Sequence, residues 1–208
     1  MRWLAREPPD LDGARQAAEA IIKDGHRASE VLKRIRAVIK GSPLRKERFN
    51  INEILFEAIA LTRVEVQRND VLLKIELSPA LLSVAGDRIQ LQQVILNLLV
   101  NAIEAMTDAD EPRELLVTSQ SHETNSVLVA IRDSGPGLDS GSLDRVFDAF
   151  HTTKPNGMGM GLAICRSIIV AHGGRLWAAH NAPKGAIFQF TLPASENTDP
   201  GQGVAKVG

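Results

Sequence analysis

The sequence predicts an α+β fold, a sandwich of one mostly antiparallel sheet with helices on one face, preceded by a separate helical segment. Three observations predict it. Between residues 48 and 193, short alternating or β-branched runs joined by polar turns are interleaved with amphipathic stretches, giving about three helices and five or six strands. Gln90 to Met106 is apolar around nearly its whole circumference, the pattern of a helix inside a core rather than on a surface. Residues 11–40 instead follow a heptad, with Ala14, Ile21, Ala28 and Ile35 every seven positions and Ala18, Leu32 and Ile39 four after three of them, so this helix wants a partner helix.

Composition bounds the function. With 208 residues, 44% hydrophobic and 24% charged, the chain can bury a core of ordinary size as one main domain plus an appendage. A net charge of -1 gives no electrostatic case for wholesale nucleic-acid binding, although residues 1–48 carry roughly +5 against roughly -6 for the rest. The single cysteine, Cys165, excludes an internal disulfide framework, and no Cys/His spacing suits zinc. The sequence shows no signal peptide and no apolar run near about 18 residues, so a cytoplasmic chain is expected, with membrane association left to a longer form.

Arg2 to Arg6 can only end a helix before Pro8-Pro9 stops it. The heptad helix has Arg27, Lys33, Arg34 and Arg36 on solvated faces and Gly25 weakening its middle by roughly 1 kcal/mol relative to alanine; Gly41-Ser42-Pro43 ends it. Arg48 to Ile51 alternates like a short strand. Asn52 is expected to cap an amphipathic helix with Ile54, Leu55, Ala58, Ile59 and Leu61 on its buried side. Asn69-Asp70 turns into a strand at Val71 to Leu77, a shorter strand follows around Leu82 to Ala85, and Asp87 caps the apolar helix. Strands at Glu114 to Gln120 and Val127 to Arg132 flank a polar turn containing Asn125. Ser142 to Phe147 reads as a turn or two of helix. Gly161 to His172 is a helix closed by Gly173-Gly174, and Arg175 to Ala179 with Ala186 to Leu192 forms a closing hairpin. The residues from Ala194 to Gly208 lack periodicity and are expected to be disordered.

Chemistry concentrates in four places. Along the apolar helix, Asn97, Asn101 and Glu104 fall within roughly 60° of one another, with Gln90 and Gln93 extending the stripe. Buried and unpaired, such groups would cost about 1–3 kcal/mol each, so they either join a polar network or face a ligand-filled cleft. Asp133-Ser-Gly-Pro-Gly137 follows a strand and sets a carboxylate beside backbone that can be approached closely. That suits an exocyclic amine such as adenine's, although the same composition also makes an ordinary turn. Gly157-Met-Gly-Met-Gly161 opens a helix, exposing N–H groups and the positive end of the dipole as a generic phosphate cradle. It is neither a Walker A loop nor a Rossmann fingerprint. Between the glycine clusters, Phe147, Phe150, Thr152, Thr153 and Lys154 belong to a segment that reads either as a lid or as a long loop with two buried phenylalanines.

Taken in order, the striped helix, the aspartate-glycine turn, Phe-x-x-Phe with Thr-Thr-Lys and the alternating glycines resemble the ATP-binding domain of sensor histidine kinases, the GHKL or Bergerat group, over about Arg48 to Pro193. The resemblance implies ATP and Mg²⁺ as ligands. Asn101 would hold the metal that bridges the phosphates, Asn97 would sit beside it in the same network, and Asp133 would accept from the adenine amine. Gly135 and Gly137 would shape the base pocket, while Lys154, Gly157, Gly159, Gly161 and Leu162 would surround the phosphates; Asn97, Asn101 and Lys154 would form the catalytic set. Glu104 is left without a role. ATP-hydrolysing relatives place a glutamate four residues before the metal-binding asparagine, where this chain has Asn97. An amide cannot act as a general base at neutral pH, so transfer to another nucleophile is expected rather than hydrolysis.

In the resembled family a two-helix dimerisation hairpin carries the phospho-accepting histidine on its first helix. Residues 11–40 resemble the second helix alone, and His26 lies on the wrong helix with neighbours that do not match the histidine box; His122, His151, His172 and His180, in turns, the lid or helix ends, are read as surface residues. The expected organisation is a partial dimerisation segment at 1–43, an ATP-binding catalytic domain at 44–193 and a tail at 194–208. The expected partners are a response-regulator receiver domain, a histidine-bearing helix of a longer kinase or a separate protein, and a second copy paired through residues 11–40. Weak or absent self-phosphorylation follows. Two alternatives stay open: an anti-sigma-type serine kinase, against which the heptad helix counts, and a non-catalytic nucleotide-binding interaction module.

Overall fold

The computed structural model describes Arg15 and residues 46–107, 109, 112–123, 125–139, 141, 143, 145–152 and 159–195. The chain divides into two units, Met1–Pro43 and Leu44–Gly208. The heptad segment apart from Arg15, together with Thr153, Lys154, Gly157 and the tail from 196 onward, lies outside the described residues. In chain order the elements of the second unit are β1 (Glu47–Phe49), α1 (Ile51–Leu61), α2 (Arg63–Arg68), β2 (Leu72–Leu77), β3 (Val84–Gly86), α3 (Arg88–Met106), β4 (Glu114–His122), β5 (Ser126–Asp133), a 3₁₀ turn at Arg145–Phe147, α4 (Gly161–Ala171), β6 (Arg175–His180) and β7 (Ala186–Pro193).

Among the described residues five strands form one sheet in the order β2-β4-β5-β7-β6, antiparallel except for the parallel β2–β4 pair, while β1 and β3 pair separately. The predicted α+β class is the observed one, and each strand lies within about two residues of its expected place. Alternation explains the sheet's faces: Leu115, Val117 and Ser119 on β4 and Val127, Val129 and Ile131 on β5 are buried, and the register pairs Val117 with Ile131 and Leu115 with Asp133. Asp133 therefore ends an inward-facing apolar row. A two-residue period delivers this carboxylate to the core side of the sheet.

Against that face lies α3, packed on α1, α4 and β5, with Leu91, Val94, Ile95, Leu98, Leu99, Ala102, Ile103 and Met106 all buried. Among the described residues it is the one helix long and apolar enough by composition to cross a bilayer, where the sequence suggested no such run. Its burial against those neighbours accounts for that composition. Asp87 caps it as expected, with Oδ1 accepting from the Ile89 and Gln90 N–H groups at 3.1 Å each.

Four local expectations are corrected. Asn50, not Asn52, caps α1, its Oδ1 accepting the Asn52 N–H at 2.9 Å. Asn52 instead ties α1 to the sheet, donating to Ser78 O at 2.9 Å and accepting from Ser119 Oγ at 2.7 Å. Leu61 is exposed because the helix breaks at the buried Thr62, whose Oγ1 donates to Ala58 O and Ile59 O. His172, assigned to the surface from its place at a helix end, is buried: Nδ1 lies 2.7 Å from Ile168 O and Nε2 accepts the Asp87 N–H at 2.9 Å, which joins the end of α4 to the start of α3. The expected tail does not begin as a loose segment at Ala194, since the Ala194 N–H donates to Asn125 O and the Ser195 N–H to Ser83 O.

Candidate functional site

The stripe on α3 sets the geometry. Asn97, Asn101 and Ala105 follow one another at four-residue intervals, a single ridge about 12 Å long. At one end of the ridge the first residue of α4 rests on Asn97: a Cβ on Gly161 would lie 2.9 Å from Asn97 Nδ2 and 3.1 Å from Oδ1. One turn further along α4, Cys165 Sγ accepts from Asn97 Nδ2 at 3.1 Å. At the other end of the ridge, a Cβ on Gly135 would lie 3.1 Å from Ala105 O and 3.0 Å from Asp133 Oδ1. The Asp133–Gly137 turn thus closes on the last turns of α3, and half-buried Asn101 lies between the two contacts.

Asp133 is only 2% exposed. Its Oδ1 accepts from the Gly135 N–H at 2.9 Å and the Ala186 N–H at 3.2 Å, and its main-chain O accepts from Asn181 Nδ2 at 2.8 Å. Burial pushes the Asp133 carboxyl above the usual aspartate range, and the backbone N–H groups of Gly135, Ala186 and Asp133 itself pull it back. The Gly135 and Ala186 N–H groups, which come from two different segments, both meet Oδ1. Gly137 lies against the turn between β6 and β7, where a Cβ on it would be 3.0 Å from Gly185 O.

The segment leading to α4 is held at its two ends. The Phe150 N–H donates to Gly159 O at 3.0 Å. Gly159 has φ +64°, and a Cβ there would lie 2.5 Å from His151 O. Phe147 is buried edge-on to Phe188, with ring centroids 6.2 Å apart and the Arg166 guanidinium over its face. Phe150 is 76% exposed, so one phenylalanine pins this segment where two were expected. Leu162 packs against the core, and Glu104 is exposed at the end of the stripe. A hollow of about 140 Å³ beside Phe147, Arg166 and Trp177 shares none of the residues of the ridge or the aspartate turn.

Along the central helix the structure sets Gly161 against Asn97 and Gly135 against Ala105 and Asp133, with Asn101 between them in the helix, while Gly137 meets Gly185 and Gly159 meets Phe150 and His151. Sequence reasoning missed Cys165, Asn181, Gly185 and Ala186, whose contacts join positions far apart in the chain. Gly185, at φ +115° before a strand, was the one with a readable signal. Among the described residues no three His, Cys, Asp or Glu side chains gather as a metal cage. An amide oxygen such as that of Asn101 is of the type that Mg²⁺ takes as a single protein ligand, the rest of its octahedron being filled by water or anionic oxygens.

Residues 86–196 match the family described as histidine kinase-, DNA gyrase B-, and HSP90-like ATPase. Over 188 residues the chain is 37% identical to the sensor protein FixL of Bradyrhizobium diazoefficiens, covering 90% of this chain and 37% of that one. The chain spans between a fifth and two-fifths of the length of the sensor kinases it matches first. Among solved structures it is similar to histidine kinase ThkA in complex with response regulator protein TrrA, with TM-score 0.72 and 30% identity over 88% of this chain and 52% of that one. It is also similar to full-length ShkA in complex with AMPPNP, with TM-score 0.74 and 25% identity over 87% and 39% of the two chains. The matched span contains the ridge, the aspartate-glycine turn and the start of α4, and on that footing the chain belongs to the histidine kinase-, DNA gyrase B- and HSP90-like ATPase family, with sensor histidine kinases as its relatives.

Proposed function

We propose that this chain is the ATP-binding catalytic part of a two-component sensor histidine kinase. It passes the γ-phosphoryl group of ATP to a histidine on another segment or another protein, from which a response-regulator receiver domain takes it. The observation that carries this reading is the approach of two turns to one ridge, Gly161 at Asn97 and Gly135 at Ala105, with Asn101 between them. A nucleoside triphosphate laid along that ridge has its base at Asp133 and its phosphates at the start of α4.

Each role follows from local chemistry. Asp133 Oδ2 accepts from the adenine amine, and Gly135 and Gly137 let the base approach the backbone. The N–H groups around Gly159 and Gly161, at the positive end of α4, face the phosphates together with Leu162. Lys154 and Gly157 are assigned to the same side from the sequence. Asn101 would hold Mg²⁺, which when bound spreads the phosphate charge. Asn97 donates to Cys165 and touches Gly161, and as an amide it does not activate water, so transfer rests on positioning and charge neutralisation. The complexes of ThkA with TrrA and of ShkA with AMPPNP support the receiver partner and the nucleotide. Dimerisation through residues 11–40 belongs to the same reading.

Displacement of a fluorescent nucleotide by Mg·ATP tests the site. Asn101→Asp and Asp133→Ala are each expected to weaken binding about tenfold or more, and chelating Mg²⁺ is expected to weaken it in the unaltered chain. Unchanged affinity in both variants removes the site assignment. Labelled ATP should leave acid-labile label on a supplied histidine-bearing hairpin; label on His26 would overturn the placing of the acceptor outside residues 11–40.

A further inference from the structure

Resting on that reading of the base site, we infer that Asn181, with Gly185, is a positioning residue for base recognition: the turn between β6 and β7 braces Asp133 from behind and so sets the preference for a 6-aminopurine. Asn181 closes its own turn, its N–H donating to Gly185 O at 3.0 Å, and its Nδ2 reaches across to Asp133 O at 2.8 Å. The first N–H of β7, on Ala186, donates to Asp133 Oδ1 at 3.2 Å. Gly185 has φ +115°, and a Cβ on it would lie 1.9 Å from Asp133 O, so no side chain fits between turn and aspartate. The same glycine's carbonyl lies against Gly137. One turn therefore touches both the acceptor residue and the glycine that shapes the pocket.

The consequence is directional. Gly135 and Ala186 hold Oδ1 from two sides, so the carboxylate cannot rotate without losing a donor, and in the proposed base site Oδ2 is the oxygen that meets the amine. Asn181 fixes the main-chain carbonyl of the residue from which that side chain springs. Without the Asn181 donor the peptide unit is free to tilt, and the direction of Oδ2 spreads. Hydrogen bonds weaken steeply off axis, whereas base packing and phosphate contacts tolerate a small tilt. The loss falls on ligands that carry the amine.

Calorimetry on the full chain with Mg²⁺ and two probes, ATP and purine riboside 5′-triphosphate, which lacks the 6-amino group, tests this. Asn181→Ala is expected to lower ATP affinity about three- to tenfold while the amine-free nucleotide changes by less than about twofold, with a melting temperature near that of the unaltered chain. Asn181→Asp keeps the shape but turns the donor into an acceptor, and should lose at least as much ATP affinity. Equal losses for both nucleotides, or no loss for ATP, overturn the inference. Asp133→Ala separates the two levels: it should bring ATP down to the affinity of the amine-free nucleotide. If it leaves the ratio untouched, the base assignment fails and the inference with it; a normal Asp133→Ala loss beside an inert Asn181→Ala removes the inference alone.

Discussion

At Asp133 burial and backbone donors pull in opposite directions, and burial wins, so the folded pKa lies above the ordinary aspartate value. Between the unfolded and the folded pKa the folded chain binds more protons than the unfolded one. This group therefore takes stability away as pH rises through that window and restores it on acidification. A ligand that donates to Oδ2 favours the charged form and offsets the cost. Asp133→Asn removes the titration while keeping an oxygen for Gly135 and Ala186. In the absence of nucleotide the variant is expected to melt above the unaltered chain at neutral pH, and the gap should shrink as pH falls toward about 4. Parallel melts across that range check it; a gap that is negative at neutral pH, or constant with pH, contradicts the account. At this scale the sequence singles out Asp133 only through the order of the motifs around it, because a carboxylate followed by two glycines also makes an ordinary turn. Asn181 is not singled out, because its partner lies 48 positions away and is a main-chain oxygen, which every residue carries.

At the scale of elements, α1 shows where periodicity stops informing. Asn50-Ile51-Asn52 offers two caps, and the apolar spacing of Ile54, Leu55 and Ala58 fits either start. The burial of Ile51 decides for Asn50, because a start at Asn52 would leave an isoleucine in the linker rather than under the helix. The two asparagines should then differ in cost. Asn50→Ala loses one cap, about 1 kcal/mol. Asn52→Ala loses the bonds to Ser78 and Ser119 and leaves the hydroxyl of Ser119, itself 3% exposed, without that partner, about 1–3 kcal/mol. Urea unfolding of both variants ranks them, and a larger loss at Asn50 would show the cap outweighing the tie to the sheet. The stripe on α3 was readable for the opposite reason: amides stand out against ten apolar neighbours. Its contacts with Gly161 and Ala105 were not readable, since they depend on how α4 and the aspartate turn dock.

At the scale of the molecule, the strands could be placed from sequence but their order could not. Alternation marks each one, yet nothing local says that β5 pairs with β7 or that β2 joins β4 in parallel. That order seats the end of β5 and the β6–β7 turn beside each other, which is what the proposed site needs. A ligand bridging the ridge, the aspartate turn and the start of α4 links segments from both halves of the domain, so its binding free energy should appear as global stability. At about 100 times its dissociation constant, Mg·ATP should add about 2.7 kcal/mol. For a domain of this size that is an upward shift of roughly 5–10 °C in a single transition. ATP with Mg²⁺ chelated should give a smaller shift, and Asn101→Asp little. Asp133→Ala should keep part of the shift, because it loses the amine contact but not the phosphates. A full-sized shift in Asn101→Asp would mean that the nucleotide sits elsewhere on the fold. A shift confined to one of two separate transitions would mean that the three segments do not unfold as one unit, and the ridge would no longer be the place where they are joined.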